Sequence, residues 1–283
     1  REEMMTVKLI ALDLDGTTLN SKGRLSPGNK AALQQAIAAG VNVVIATGRC
    51  FTALPEDILE VEGINYVITS NGALLSELHS GKSLYHNCID EQAVLAAEKI
   101  LSGYKDLMIE VFVQGEAFIE KEQFDAIKAG RQTNRHRQYV LTTRKPMPDL
   151  MGFLRNHAKE IENINIFFET QEEKQEMHPV LLSIEHATVT TSLDNNWEIG
   201  GETTSKASAL HELCRLLDVK KEEVMACGDS PNDGEMLKEA GIPVAVGNAK
   251  EVIKELAVFI SGTNDEDGVA TAINKYVLAG SKW

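Results

Sequence analysis

Two acidic residues, Asp13 and Asp15, flank a single leucine directly after an apolar segment of the chain. Residues 7–12 are apolar at every position except Lys8, which is typical of a strand buried within a parallel sheet. Ligands of open α/β sheets bind beyond the carboxyl ends of the strands, so both carboxylates are expected in a cleft. Taken alone, the pair fits a catalytic or metal-binding role and a purely structural role about equally well.

Three further polar clusters follow predicted strands or begin a predicted helix, and each offers a group that phosphoryl transfer needs. Thr47 and the backbone of Gly48 offer a hydroxyl and amide donors for phosphate oxygens. Lys206 is predicted to begin a helix, where the helix dipole disfavours a cation unless an anion lies nearby. Asp229 and Asp233 add two acids at the end of another predicted strand.

Asp13 and Asp15 together supply the two groups that hydrolysis of a phosphate ester requires. One carboxylate attacks phosphorus, and the resulting aspartyl phosphate divides one difficult displacement into two easier ones. In this scheme Asp15 protonates the leaving alkoxide and then activates the water that hydrolyses the intermediate. The residues therefore predict phosphoryl-transfer chemistry at the end of the first strand.

These acids would repel a phosphate dianion unless a cation compensates their charge. A hard divalent cation that bridges Asp13, Asp229 and the phosphate removes the repulsion, so the acidic side chains predict Mg²⁺. The backbone carbonyl of Asp15 and water molecules would complete an octahedron. A zinc site is not expected, because the histidines and cysteines show no zinc-binding spacing.

The elements that must position these residues alternate between strand and helix. The pattern predicts an α/β fold with a doubly wound parallel sheet, built from residues 1–82 and 198–283. Its strands are expected at residues 7–12, 41–46, 66–69, 224–227, 244–246 and 258–261. Helices are expected between them, including residues 51–59, and each strand of the first half ends in a polar or glycine-containing cluster.

Residues 83–197 show a different pattern, in which hairpins and helices are mixed. This pattern predicts an inserted α+β cap domain with a small core of its own. Its strands are expected at residues 107–113, 117–119, 164–168, 180–184, 187–191 and 197–199, and its helices near 121–130 and 148–160. One domain is therefore expected to be built from both ends of the chain and interrupted by the insert.

The bulk composition limits the classes of partner. The 283 residues are 43% hydrophobic and 25% charged, and the net charge of −14 argues against nonspecific binding to nucleic acid or an anionic membrane. No apolar run is long enough to span a membrane, and residues 1–5 lack the apolar core of a signal peptide. The four scattered cysteines indicate reduced thiols, so a cytoplasmic protein is expected.

Four motifs occur in order along the chain: Asp13-x-Asp15-Gly16-Thr17, Thr47-Gly48-Arg49, Lys206 and Gly228-Asp229-x-x-Asn232-Asp233. This ordered set resembles the haloacid dehalogenase (HAD) superfamily of phosphatases. Within it, the chain resembles the Cof-type branch, whose large cap is inserted between the second and third motifs. Segments 70–73, 246–249 and 264–269 resemble further signatures of that branch.

The resemblance implies a magnesium-dependent hydrolase of small phosphorylated metabolites, commonly sugar phosphates. We expect the protein to be a monomer or homodimer. The resemblance also implies that the HAD-like Rossmannoid core carries the chemistry and that the cap recognises the substrate. Asp13 would be the nucleophile, Asp15 the acid and base, and Asp233 a carboxylate that orients the metal's waters or Lys206. Asp229 would bind the metal with Asp13 and Asp15; the phosphate would be held by Thr47, Gly48, Lys206, Asn232 and the backbone of Leu14.

Several residues keep a plain alternative role. Arg49 either serves the structure of the core domain or reaches the polar body of a substrate, and Asn71 either favours a turn or belongs to the binding site. Residues 265–267 are most simply a solvated loop before the last helix. The basic cluster at residues 131–137 is either a solvated helix end or a substrate-binding surface, and His178-Pro179 forms either a turn or a specificity contact.

Two other functions remain open at this point. A phosphomutase uses the same aspartyl phosphate but returns the phosphoryl group to a sugar. A phosphosugar sensor binds without catalysis and would not need Asp13 or Asp15, so the presence of both acids disfavours it.

Overall fold

The computed structural model describes residues 6–131 and 137–279. The strands are β1 (Leu9–Leu12), β2 (Asn42–Ala46), β3 (Tyr66–Thr69), β4 (Leu74–Glu77), β5 (Ser83–His86), β6 (Met108–Val113), β7 (Glu116–Glu120), β8 (Arg144–Met147), β9 (Ile161–Phe167), β10 (Ala187–Thr190), β11 (Asn196–Gly201), β12 (Val224–Gly228), β13 (Ile242–Ala245) and β14 (Phe259–Ile260). The helices are α1 (Pro27–Ala38), α2 (Glu56–Leu59), α3 (Glu91–Leu101), α4 (Lys121–Lys128), α5 (Arg137–Thr143), α6 (Leu150–Asn156), α7 (Gln171–Leu182), α8 (Lys206–Leu217), α9 (Gly234–Glu239), α10 (Glu251–Lys254) and α11 (Gly268–Ile273).

The chain divides into two compact units. The first contains the residues up to Gly48, Leu54–His86 and the residues from Ser205 onward. The second contains Arg49–Ala53 and Asn87–Thr204. The boundaries predicted from the sequence, at residues 83 and 197, differ from this division by a few residues. The difference arises because β5 pairs with β4 in the sheet of the first unit, and because β11 in the second unit extends past residue 197.

The first unit is an eight-stranded sheet in the order β14-β13-β12-β1-β2-β3-β4-β5. The strands from β14 to β3 run parallel, whereas β4 and β5 add an antiparallel edge. This confirms the predicted α/β class, although the hydrophobic pattern did not reveal the antiparallel edge. The predicted helix at residues 51–59 is also broken, into a short 3₁₀ turn, Phe51–Ala53, and α2.

The central strand β1 lies between β12 and β2, and all four of its residues are buried. Leu12 pairs in register with Cys227 on one side and Ile45 on the other. The three strands therefore end at the same edge of the sheet. The chain leaves β1 towards β2 on one side and returns to β12 on the other, which makes this edge a topological switch point.

The second unit is a six-stranded, mainly antiparallel sheet in the order β10-β11-β9-β6-β7-β8. On β9, Ile164 and Ile166 belong to the apolar cluster formed with α3, α6 and α7. Asn163 and Asn165 alternate with them, so they lie on the opposite face of the sheet. This unit is the α+β insert that the mixed pattern predicts.

The predicted strand at residues 180–184 is wrong, because most of this segment belongs to α7. The helix begins with a capping box, in which Thr170 and Glu173 each bind the backbone of the other. This Thr-x-x-Glu signal was available in the sequence. His178 and Pro179 lie inside α7 and not in a turn, and the ring of His178 stacks on Trp197 at 4.2 Å.

Only the two ends of the basic cluster at residues 131–137 fall in the described part of the chain, because Gln132–His136 lie outside it. Residues 1–5, which were compared with a signal peptide, also lie outside the described residues. Arg137 donates from Nε to the carbonyl of Ile127 at 3.0 Å and from Nη2 to that of Lys128 at 2.9 Å. These are the last carbonyls of α4, so Arg137 closes a helix end.

A buried ion pair connects β6 to β8 in the insert. Arg144 donates to both carboxylate oxygens of Glu110, at 2.9 and 2.7 Å, and its guanidinium lies over the ring of Tyr139. The side chains of Arg144 and Glu110 are only 4% and 1% exposed. Each charge therefore depends on the other for compensation.

Replacing Glu110 with glutamine is expected to lower the free energy of unfolding by about 3–5 kcal/mol, because the charge of Arg144 stays buried without a partner. Chemical denaturation measures this loss. The matched control is Asp125→Asn, which breaks the exposed pair with Lys121 and should lower the free energy of unfolding far less. Equal losses in both variants would show that the Glu110 pair contributes nothing through its burial.

Candidate active site

Asp13 lies directly after β1 at the shared edge of the parallel strands. Its side chain is buried, its N–H donates to the carbonyl of Cys227 at 3.1 Å, and its own carbonyl accepts a hydrogen bond from the Thr18 hydroxyl at 2.6 Å. Its backbone is therefore fixed on both sides of the Cα. The carboxylate has a defined position in the sheet edge before any ligand binds.

Lys206 lies between two carboxylates. Its Nζ donates to Oδ1 of Asp13 at 2.6 Å and to Oδ1 of Asp233 at 2.7 Å, and its side chain is 0% exposed. Burial opposes the charged form, yet the two carboxylates outweigh it and hold the pKa of Lys206 above its usual value. Lys206 is the first residue of α8, as predicted, and these carboxylates are the anions that make a cation tolerable there.

The start of α8 is fixed by its own cap and by a turn that contacts it. Ser205 and Ser208 form a capping box at 3.1 Å in each direction. The turn Ser70–Gly72 packs against this cap so closely that a Cβ on Gly72 would lie 1.9 Å from the carbonyl oxygen of Ser205. Only glycine fits at this position, and its φ of +99° has the same requirement.

Asp229 and Asp233 follow β12 and make different contacts. Oδ1 of Asp229 accepts from the Thr17 hydroxyl and Oδ2 from the Ser230 hydroxyl, both at 2.9 Å. Asp233 instead accepts the backbone N–H groups of Asp229 and Ser230 on Oδ2, at 2.9 and 3.0 Å, and Lys206 on Oδ1. Both oxygens of Asp233 are thus committed to holding the protein.

Carboxylate oxygens of Asp13, Asp229 and Asp233 lie within 4.8 Å of one another. Burial, together with the charge of Asp233, raises the pKa of Asp13 well above its usual value and raises that of Asp229 as well. A cation at these oxygens would relieve the repulsion. A cluster of hard carboxylate oxygens without nitrogen or sulfur fits Mg²⁺. Asp233 already binds Lys206 and two backbone N–H groups, so Asp13 and Asp229 are the candidate ligands.

Asp15 differs from the other acids because its side chain is exposed. It lies in the turn after β1, where its backbone forms an isolated bridge with Leu19. Asp15 is not among the three carboxylates that converge. The sequence argument assigned only its backbone carbonyl to the metal, and its side chain to proton transfer.

Four of the predicted phosphate- and substrate-binding residues come together at the ends of β2, β3 and β12, namely Thr47, Gly48, Asn71 and Asn232. The carbonyl of Thr47 accepts from the N–H of Asn71 at 3.1 Å, and Asn232 donates to Oδ1 of Asn71 at 3.0 Å. Gly48 lies beside the same amide, since a Cβ on it would be 3.0 Å from Asn71 Oδ1. Asn71 has a φ of +55°, so the turn places it here at a backbone conformation that favours asparagine.

Arg49 belongs to the other compact unit, although it directly follows Gly48. Its guanidinium lies 5.0 Å from the centre of the Tyr139 ring and donates to the carbonyl of Ala53 at 3.1 Å. Cys50 and Ala53 pack in a small apolar cluster of the insert. This packing explains why a segment placed by sequence in the core belongs to the insert.

Two hydroxyls that orient Asp229 were not singled out by sequence reasoning. Thr17 was noted only as the last residue of the first motif, and Ser230 only as an unspecified position of the fourth. The signal was present, because a hydroxyl beside a predicted metal ligand is a common partner of its carboxylate.

Residues 265 and 266 are exposed, in keeping with the interpretation of 265–267 as a solvated loop, but two residues of this segment also have specific partners. Asp265 accepts from the N–H of Ser21 at 2.8 Å, and Asp267 accepts from the hydroxyl of Ser26. Both partners lie in the segment that follows β1. The sequence pattern did not indicate these partners, because they are more than 240 residues away in the chain.

The cysteines and helices of the described residues add two observations. All four cysteines are free thiols; Cys50 and Cys227 are buried, and burial raises the pKa of each. None of the helices in residues 6–131 and 137–279 combines the length and apolar character that a membrane crossing requires.

Comparisons with known proteins agree with this geometry. A family model described as haloacid dehalogenase-like hydrolase matches residues 10–273. The chain is 34% identical to the phosphatase YwpJ of Bacillus subtilis, over 93% of this chain and 98% of that protein. It is 31% identical to the 5-amino-6-(5-phospho-D-ribitylamino)uracil phosphatase YcsE of the same organism, over 98% and 99%.

The fold is also similar to that of a haloacid dehalogenase-like hydrolase from B. subtilis, with a TM-score of 0.80, 31% identity and coverage of 95% of this chain and 99% of that chain. Both the family match and the curated relatives span nearly the whole chain. The chain is thus a member of the haloacid dehalogenase-like hydrolases, in the Cof-type branch of phosphatases that act on phosphate monoesters.

Proposed function

We propose that this phosphatase hydrolyses small phosphate monoesters, sugar phosphates among them, with Mg²⁺ and through an aspartyl phosphate on Asp13. One observation carries the proposal: Lys206 holds one oxygen of Asp13 at 2.6 Å, while a carboxylate oxygen of Asp229 lies within 4.8 Å of Asp13. A buried carboxylate that is fixed by a cation and paired with a second acid is suited to attack phosphorus beside a metal ion.

The metal would be held by Asp13 and Asp229, with the backbone carbonyl of Asp15. Bound there, Mg²⁺ neutralises the charge of the phosphate and of the acids around it. Thr17 and Ser230 keep the Asp229 carboxylate in place through their hydroxyls. Asp233 keeps Lys206 and the backbone of the turn after β12 in place.

The reaction then follows from the two acids. A carboxylate oxygen of Asp13 forms a bond to phosphorus as the bond to the leaving oxygen breaks, and Asp15 gives its proton to that oxygen. A water molecule next attacks phosphorus, Asp15 takes up its proton, and the bond to Asp13 breaks. Inorganic phosphate leaves, and both side chains return to their starting states.

The phosphate itself would be held by Thr47, the backbone of Gly48 and of Leu14, Lys206 and Asn232. Asn71 connects two of these residues, because its Oδ1 accepts a hydrogen bond from Asn232 and its N–H donates to the carbonyl of Thr47. These contacts fix donors that converge from three strand ends. Donors that are fixed in advance stabilise the charge that develops on phosphate oxygens during transfer.

The substrate class rests on the relatives and on the site. YcsE is named as a phosphatase of a phosphorylated ribitylamino compound, which is a phosphate ester on a polyol chain. A substrate of this kind has an alkoxide leaving group, which needs the proton that Asp15 supplies.

The four free cysteines favour a reducing, cytoplasmic location.

A magnesium-dependent screen of phosphate release tests the proposal. The panel contains sugar phosphates, polyol phosphates, nucleotides and phosphorylated cofactors, with Asp13→Asn as the blank. Release of inorganic phosphate by the wild type, and not by the blank, supports hydrolysis. An isomerised sugar phosphate without free phosphate would instead identify a mutase, and binding without turnover across the panel would identify a sensor.

Mg²⁺ is expected to raise the Tm of the wild-type protein by about 5 °C over the value in EDTA, because ligand binding stabilises the folded state by mass action. The shift should largely disappear in Asp229→Asn, which removes a ligand. Glu235→Gln, an exposed acid on the next helix, is the control and should keep the full shift. If Mg²⁺ raises the Tm of Asp229→Asn as much as that of the wild type, Asp229 is not a metal ligand.

A further inference from the structure

The turn after β1 is held by two asparagines from the far end of the chain. Asn248 donates from Nδ2 to the carbonyl oxygen of Gly16 at 2.8 Å and accepts from the N–H of Asn264 on Oδ1, also at 2.8 Å. Asn264 in turn donates from Nδ2 to the carbonyl of Leu19 at 2.9 Å. The two side chains thus form a hydrogen-bonded bridge to both ends of residues 16–19.

The Gly16 carbonyl lies at a sensitive point of this turn. It follows Asp15 and precedes Thr17, whose hydroxyl holds Oδ1 of Asp229 at 2.9 Å. Gly16 itself has a φ of +81°, and a Cβ on it would lie 2.7 Å from Oδ2 of Asp229. One residue, Gly16, therefore connects the proposed acid and base to the residue that orients the proposed metal ligand.

Asp13 and Asp15 are fixed to different degrees by the sheet. Asp13 continues β1, and Lys206 holds its carboxylate from the side. Asp15 is exposed and lies beyond the strand, so its position depends on the conformation of the turn. A hydrogen bond that fixes the Gly16 carbonyl limits the freedom of the backbone on which Asp15 stands.

We propose that Asn248 is a positioning residue for Asp15: its donation to Gly16 places the acid for proton transfer to the leaving group. The inference rests on the proposed function, in which Asp15 is that acid. Asn264 has a structural role, because it is buried and its N–H donates to Oδ1 of Asn248. Asn248 is exposed, so it can be changed without opening the core.

The test compares two leaving groups in the variant Asn248→Asp. Aspartate keeps the acceptor for the N–H of Asn264, loses the donor for Gly16 and adds a negative charge, which the control variant below adds as well. An alkyl phosphate, such as a hexose phosphate, needs a proton on its leaving oxygen, whereas p-nitrophenyl phosphate has a leaving group that departs without one. We expect kcat/KM to fall about tenfold for the alkyl ester, the effect of one lost hydrogen bond, and much less for the aryl ester.

The matched control is Asn20→Asp in the same turn. It adds the same charge, and it keeps the acceptor that binds the N–H groups of Lys22 and Arg24 at 3.0 and 3.1 Å. We expect both esters to be hydrolysed at wild-type rates by this variant. Thermal unfolding of all variants is measured in parallel, and Asn248→Ala serves as the second variant if Asn248→Asp is unstable.

An equal loss for both esters, no loss for either, or unfolding of both Asn248 variants would overturn the inference, because none of these results singles out proton donation. The failure of the proposed function looks different. In that case the wild-type protein itself releases no phosphate from either ester.

Discussion

Replacement of Asp13 with asparagine should lower phosphate release by about 10⁴-fold or more, because the proposed nucleophile is removed and no other described side chain occupies its place. The fold should persist. Asparagine is nearly isosteric, and Lys206 keeps its contact with Asp233 at 2.7 Å. Continuous assay of inorganic phosphate with saturating Mg²⁺ measures the loss, and circular dichroism verifies the fold.

Asp15→Asn separates the two acids by a different signature. With p-nitrophenyl phosphate, Asp13 can still be phosphorylated because the leaving group needs no proton, whereas the attack of water lacks its base. The variant should therefore release a burst of p-nitrophenol, turn over slowly, and accumulate a phosphorylated enzyme that mass spectrometry detects. Asp13→Asn should show neither the burst nor the added phosphoryl group.

Near-normal release of phosphate by Asp13→Asn would contradict the aspartyl-phosphate mechanism. A burst in Asp13→Asn would contradict it as well, since another nucleophile would then carry the phosphoryl group. Turnover by Asp15→Asn at the wild-type rate would show that Asp15 does not transfer the proton, but it would not contradict Asp13 as the nucleophile. The two variants thus test separate parts of the proposal.

Much of the candidate site could be predicted from the sequence because its residues lie at the ends of buried strands. Val43–Ala46 and Val224–Cys227 are apolar runs, and such runs indicate interior parallel strands whose carboxyl ends meet at one edge. The polar residues that follow, Thr47 and Asp229, must then lie near Asp13. Local pattern and sheet geometry suffice for this step.

The contacts that hold the site were harder to predict because they join distant segments. The bridge from Asn248 to Gly16 spans 232 residues, and the contact of Asp265 with Ser21 spans 244. No periodicity encodes such a partner. Motif resemblance marked the segments 246–249 and 264–269, but only the structure shows that their asparagines bind the turn that carries Asp15.

The insert was predicted less well because its sheet uses polar residues on a buried face. Glu110, Asn163 and Asn165 are all buried, although each would suggest a solvent-facing position. In the same way, the apolar residues that end α7 resemble a short strand when the capping box at Thr170 is overlooked. Apolar runs of this length do not distinguish a strand from a buried helix end.

Replacement of Lys206 with methionine should affect both activity and stability. Activity should fall about 10²–10³-fold, because a fixed cation beside the nucleophile and the phosphate is lost. At pH 8 the free energy of unfolding should fall by about 3–5 kcal/mol, because the carboxylates of Asp13 and Asp233 stay buried without their shared partner. Chemical denaturation measures this loss, and Lys238→Met, at an exposed position, is the control.

The stability loss of Lys206→Met should depend on pH in a defined direction. Burial and the charge of Asp233 already raise the pKa of Asp13 in the folded protein, and Lys206 opposes this rise. Without Lys206 the folded-state pKa rises further above the unfolded value of about 4. A carboxyl of this kind binds its proton more tightly when folded, so its contribution to stability is greatest at low pH and is lost as pH rises through the folded pKa.

The difference in unfolding free energy between wild type and Lys206→Met should therefore shrink as the pH is lowered from 8 towards 5. Adding Asp233→Asn to Lys206→Met removes one of the two unpaired charges, so it should recover part of the stability at pH 8 and flatten the pH dependence, while activity stays low. If the difference in unfolding free energy between wild type and Lys206→Met stays constant across this range, the buried carboxylates are not the cause of the stability loss. In that case the lysine stabilises the fold through its packing alone, and the electrostatic account of the Asp13–Lys206–Asp233 cluster would have to be abandoned.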